Sequence, residues 1–107
     1  MRLNELQRHV KQWTDYNFPD SKPHHPLLGI GEEAGELMHA HLKAEQGIRG
    51  DVAKHKAQAE DAIGDLLIYL ADYCNRMGYD LEQCLTETWS RVRQRDWKKN
   101  TETGKSN

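Results

Sequence analysis

The stretch Glu60-Asp61-Ala62-Ile63-Gly64-Asp65-Leu66-Leu67-Ile68-Tyr69-Leu70 sets two acids four residues apart against the most apolar run of the chain. Residues so spaced differ by roughly 40° in direction around an α-helix, so Asp61 and Asp65 share a face at the edge of a core. No proline interrupts the pattern from Asp51, a suitable cap, through Tyr73, Cys74 and Met77 to Gly78. One long helix is expected there, and its polar first turns, Val52 to Ala59, are where it would fray or break. A second acidic stretch, Gly31-Glu32-Glu33-Ala34-Gly35-Glu36-Leu37, lies among Leu27, Ile30, Ala34, Leu37, Met38, His41 and Leu42, which recur at helical spacing. That helix is expected to start near Pro26, a residue tolerated in a first turn, and to stop near Gln46-Gly47-Ile48-Arg49-Gly50.

Outward from these two elements the pattern stays helical. Leu3, Leu6, Val10 and Trp13 predict a first helix from about Leu3 to Tyr16, and the segment from Asn17 to Pro26 holds all three prolines and reads as a loop. Asp80, with Gln83 three residues on, has the form of a capping box. It opens a fourth helix with the apolar stripe Leu81, Cys84, Leu85, Thr88, Trp89 and Val92. Residues 98–107 carry no stripe and read as a flexible tail after a single domain over 1–97. The fold class is all-α, a four-helix bundle.

Composition bounds the function. The 107 residues are 36% hydrophobic and 30% charged, with net charge −2 and mean hydropathy −0.95. The chain is long enough for a core, yet small enough that self-association would help bury its apolar faces. The longest apolar stretch, Ala62 to Ala71, is too short to span a membrane and contains Asp65. The first residues lack the apolar core of a signal peptide, so a cytoplasmic location is expected. Cys74 and Cys84 form no disulfide framework and are expected as reduced core thiols. Mild acidity argues against a protein that coats nucleic acid.

The four acids carry the functional signal. Glu33 and Glu36 lie on one helical face, as do Asp61 and Asp65, each pair beside apolar positions where unpaired negative charge is costly. If the two helices pack side by side, both pairs can point into one groove. Such an oxygen-rich set suits Mg²⁺ or Mn²⁺. The competing reading is a solvated helix face. Against it stand Gly35 and Gly64 inside the helices, where glycine costs about 1 kcal/mol relative to alanine; close approach of a helix or a ligand would explain both.

Taken together, Glu32-Glu33-Ala34-Gly35-Glu36-Leu37 and Asp61-Ala62-Ile63-Gly64-Asp65-Leu66-Leu67-Ile68-Tyr69-Leu70 resemble the MazG-like branch of the all-α nucleoside triphosphate pyrophosphohydrolases, whose pattern is EExxE, a spacer, then ExxD. The resemblance covers about Leu27 to Trp97. It implies Mg²⁺-dependent cleavage of a (d)NTP to the monophosphate and pyrophosphate, nucleotide-pool control, and a homodimer or dimer of dimers. By position, Glu33 and Glu36 match metal ligands, Asp65 matches the aspartate of ExxD, and Glu32 matches the leading acid. The chain departs from the pattern at Ala62, where a glutamate is expected. Asp61 is the substitute that keeps the face shared with Asp65, and Glu60 points elsewhere.

The chemistry agrees with these residue types. Phosphoanhydride hydrolysis needs neutralised phosphate charge and an activated in-line water, and Glu32 or Glu33 could accept the water's proton. No P-loop is present. Arg91 and Arg95, four apart, are candidates for triphosphate contact, or else a solvated basic helix end. Tyr69 and Asp72 share the face of Asp65 and are candidates for nucleotide contact or for structural hydrogen bonds. Trp13, Asn17 and Phe18 could form a base pocket; Trp13 equally continues a core stripe. His24 and His25 read as loop histidines, His39 and His41 face different ways, and Lys54, His55 and Lys56 read as a solvated face. Two alternatives stand beside the pyrophosphohydrolase. One is a metal- or nucleotide-binding bundle with weakened catalysis, favoured by Ala62; the other is a nucleic-acid module using Arg91, Arg93, Arg95, Lys98 and Lys99.

Overall fold

A computed structural model describes residues 1–105. These are all-helical, with no strand among the described residues: α1 Leu3–Asn17, α2 His24–Gln46, α3 Val52–Met77 and α4 Leu81–Val92. Local chemistry accounts for most of the boundaries. Asp51 caps α3 by accepting from the Lys54 amide at 2.8 Å, and Asp80 caps α4 by accepting from the Gln83 amide at 3.0 Å. The reciprocal half of the capping box is not formed, because the Gln83 side chain turns to Glu87 instead. Gly47 and Gly78 close α2 and α3 with φ of 69° and 76°, left-handed values that favour glycine.

α2 begins two residues before the expected Pro26. The first turn of a helix has no acceptors for its amides, so Pro26 fits at the third helical position, where it is buried. The polar start of α3 is helical from Val52, and His55 explains why. Its ring is 3% exposed, with Nε2 2.9 Å from the Ile48 carbonyl and Nδ1 3.3 Å from Gln58 Oε1. Rather than lying on a solvated face, this histidine ties the α2–α3 turn to the first turn of α3.

The main packing is between α2 and α3, while α1 lies on α3 and touches α4. No packing joins α1 to α2 or α2 to α4. Small buried residues, Ala40 and Ala62, occur on α2 and α3. On the α1 side, Val10, Ala71 and Cys74 are buried, with the Thr14 hydroxyl satisfied by the Val10 carbonyl at 2.9 Å. Burying a side chain such as Val10 contributes about 1.5–3 kcal/mol. Gln7 fastens the α3–α4 turn: its amide donates to the Tyr79 carbonyl at 2.7 Å and accepts from the Leu81 amide at 2.9 Å.

α4 departs from the expectation of a buried stripe. None of its residues is buried, and Cys84, Leu85, Trp89 and Val92 are exposed; Cys84 is thus no core thiol, whereas Cys74 is. The radius of gyration is 17.5 Å, against roughly 13 Å for a compact domain of about this length. After α4 the chain folds back in turns. The Asp96 amide donates to the Gly104 carbonyl, and the side chains of Trp97 and Arg95 crowd Gly104. Of the tail expected at 98–107, Ser106 and Asn107 lie outside the described residues. No helix is long and apolar enough to cross a membrane among the described residues.

Candidate functional site

Because α1 and α2 both flank α3 without meeting, an open cleft of about 920 Å³ runs between them over α3. One part of its lining is acidic, with Glu33 from α2 and Asp65 and Asp72 from α3. Another is aromatic: Trp13 and Phe18 meet edge to face at the end of α1, with centroids 5.7 Å apart. Trp13 is 56% exposed, so within one chain it walls the cleft and does not fill a core. Asn17 also lines the cleft, but its amide nitrogen already donates to the Trp13 carbonyl at 2.9 Å. His25 lines it too, and its Nδ1 accepts from the Lys22 amide at 3.1 Å.

Glu33 is the centre of the acidic part. It is 7% exposed, and its Oε2 is buried with no hydrogen-bond partner. A buried carboxylate without a donor is costly, and that cost favours the protonated form. Burial first, then the neighbouring carboxylates of Glu36, Asp65 and Glu32, push the Glu33 carboxyl from its ordinary 4.5 up to about 7. Carboxylate oxygens of Glu32, Glu33 and Glu36 lie within 4.8 Å of one another. An orphaned buried oxygen beside a set of hard oxygen donors fits Mg²⁺ or Mn²⁺, which would satisfy that oxygen and offset the crowded charge.

Glu33 and Asp65 line the cleft, and Glu32, Glu36 and Asp61 line an adjoining hollow of about 520 Å³ with Gly35, His39 and Gln58; the clustered oxygens of Glu32, Glu33 and Glu36 join the two. Asp61 is exposed, and Ala62, at the expected glutamate position, is 1% exposed. Gly35 and Gly64 do not serve a close helix approach, since a Cβ on either would meet nothing within 4 Å. The glycine that does permit close approach is Gly29: a Cβ there would lie 2.5 Å from Cε1 of Tyr69. Its absence lets the Tyr69 ring lie against α2 in the cleft. Burial there raises the phenol pKa, reinforced by the charges of Glu32, Glu33, Asp65 and Asp72.

Arg91 and Arg95 line neither cavity, and α4 does not pack on α2. The guanidinium held near the cleft is that of Arg76, which sequence reasoning passed over. Its Nε donates to Asp72 Oδ1 at 3.1 Å and its Nη2 to the Phe18 carbonyl at 3.2 Å. Asp72 is therefore engaged by an arginine one helical turn away. The i,i+4 spacing of Asp72 and Arg76 could have flagged that pair. Gly29 offered no such signal, because its need for hydrogen comes from a ring forty positions away. No family model matches the chain, and neither a curated protein nor a solved structure matches it.

Proposed function

We propose that the chain is a Mg²⁺-dependent nucleoside triphosphate pyrophosphohydrolase of MazG-like type, converting a (d)NTP to the monophosphate and pyrophosphate in the cytoplasmic nucleotide pool. The observation that carries this reading is the orphaned Oε2 of buried Glu33 in a cleft that also presents Trp13 and Phe18. A nucleotide needs both: cation-assisted neutralisation for its phosphates and a flat apolar surface for its base.

Glu33, Glu36 and Asp65 would hold the divalent ion, with Asp61 contributing from the adjoining hollow. When bound, Mg²⁺ or Mn²⁺ neutralises phosphate charge and makes water a stronger nucleophile. The chain's own residues do the rest. Glu32, exposed beside Glu33, accepts the proton as the water oxygen bonds to the α phosphorus and pyrophosphate leaves with the bridging oxygen. Trp13 stacks on the base, and Tyr69 and Asn17 bound the space for the sugar and base edge.

A second copy is the proposed partner, as dimer or tetramer. Leu85, Trp89 and Val92 on α4, with Ile63, Leu67 and Leu70 on α3, leave more apolar surface open than a monomer needs. A partner's α4 is also the route by which Arg91 and Arg95 could approach a triphosphate, since their own α4 does not reach α2. A weakened binding protein is the second reading, favoured by buried Ala62 and by Asp61 lining the adjoining hollow and not the cleft.

Pyrophosphate release from canonical and modified NTPs with Mg²⁺ and Mn²⁺ tests the proposal, run beside Glu36→Gln and Asp65→Asn. Mg²⁺-dependent release that both substitutions abolish is expected. Release unchanged in both would sink the mechanism, and binding of nucleotide and metal without turnover would establish the second reading.

A further inference from the structure

Like the exposed contacts Lys11–Asp15 and His41–Glu45, Asp72 and Arg76 are four residues apart on one helix, but their surroundings differ. Their side chains are only 14% and 11% exposed for Arg76 and Asp72, and the second arm of the guanidinium crosses to another element. That arm ends on the carbonyl of Phe18, the residue that terminates α1 with φ −138° and ψ 63°. The Phe18 amide in turn donates to the Thr14 carbonyl at 2.7 Å, and its ring meets Trp13. One guanidinium thus spans the floor of the cleft, at Asp72, and the backbone that carries its aromatic wall. Lysine could not do the same, since a single ammonium has no planar fork.

We infer that Arg76 is a positioning residue that sets the aromatic wall at a fixed spacing from the acidic floor, and so governs how firmly the base is held. Resting on the nucleotide reading above, the inference separates base-side binding from phosphate-side chemistry. Arg76 lies outside the Glu32–Glu33–Glu36 cluster and reaches the cleft only through Asp72 and the Phe18 carbonyl. Loss of the fork should loosen the end of α1 and leave the carboxylates where they are.

The test compares full-length parent, Arg76→Gln, Arg76→Lys, Asp72→Asn and the Arg76→Gln/Asp72→Asn double variant. Steady-state pyrophosphate release is measured with the dNTP that the parent turns over fastest. Mn²⁺ alone is titrated into each protein, and amide exchange is followed at Phe18. Arg76→Gln should raise KM by at least about tenfold with kcat within about threefold of the parent. The Mn²⁺ titration should be unchanged and exchange at Phe18 faster by about tenfold or more. Arg76→Lys should recover part of the KM, and the double variant should be no worse than the poorer single one. An unchanged KM, a fall in kcat at constant KM, or Phe18 exchange equal to the parent's would each overturn the assignment. A parent without turnover would overturn the nucleotide reading alone, and Arg76 would then stand or fall on the exchange measurement.

Discussion

Two adjoining hollows along the α2–α3 seam carry the same residue types in different surroundings. In the cleft, Glu33 and Asp65 sit with Ile68, Tyr69, Trp13 and Phe18; in the hollow beside it, exposed Glu32, Glu36 and Asp61 lie with His39 and Gln58. Burial drives Glu33 toward its neutral form, while water remains available to Glu32, Glu36 and Asp61. A carboxylate becomes a candidate ligand here because of the partners it lacks, more than because of the charge it carries.

The largest expected effect separates Glu33 and Asp65 from Asp61. Glu33→Gln and Asp65→Asn should each lower pyrophosphate release by about 100-fold or more, whereas Asp61→Asn should lower it by about tenfold or less. Equal losses in a side-by-side Mg²⁺ titration would break the comparison and make the cleft and the hollow a single site. Next in size, Trp13→Ala should raise KM by about five- to 100-fold, the range expected for one stacked base. A parent-like KM would remove the base from that wall. A smaller pair of effects concerns stability. Gly29→Ala forces a methyl into the Tyr69 ring and should destabilise the chain by about 1–3 kcal/mol. Gly64→Ala meets open space and should stabilise it by about 0.4–1 kcal/mol. Denaturant melts giving both the same sign would contradict the placement of Tyr69 against α2.

Helix positions were readable because their causes are local. Apolar spacing marked four helices, Asp51 and Asp80 marked starts, and Gly47 and Gly78 marked stops. What depended on distant neighbours was not readable. Periodicity shows that α4 has an apolar stripe, not whether anything in the same chain covers it. Spacing puts Glu33 and Glu36 on one face, yet it cannot say that Glu33 alone of the three clustered glutamates is buried, because that depends on how closely α3 packs. His55 looked solvated among lysines, although the short turn before it supplied the Ile48 carbonyl. For the site, the acidic stretches and the aromatic end of α1 were visible, and their division between cleft and hollow required the packed helices.

Glu33 offers the most direct test. Its carboxyl rises from 4.5 to about 7 on folding, so between those values the folded chain keeps a proton that the unfolded chain has lost. Metal-free stability should therefore fall as pH rises across that window, and a divalent ion that takes the carboxylate must displace the proton. Calorimetric titration of Mn²⁺ into the full chain at about pH 6 and about pH 8 reads this out. Tighter binding at the higher pH, proton release at the lower, and loss of both in Glu33→Gln are the predicted results. Affinity independent of pH in the parent, or parent-like binding by Glu33→Gln, would contradict the claim that buried Glu33 is the centre of a cation site.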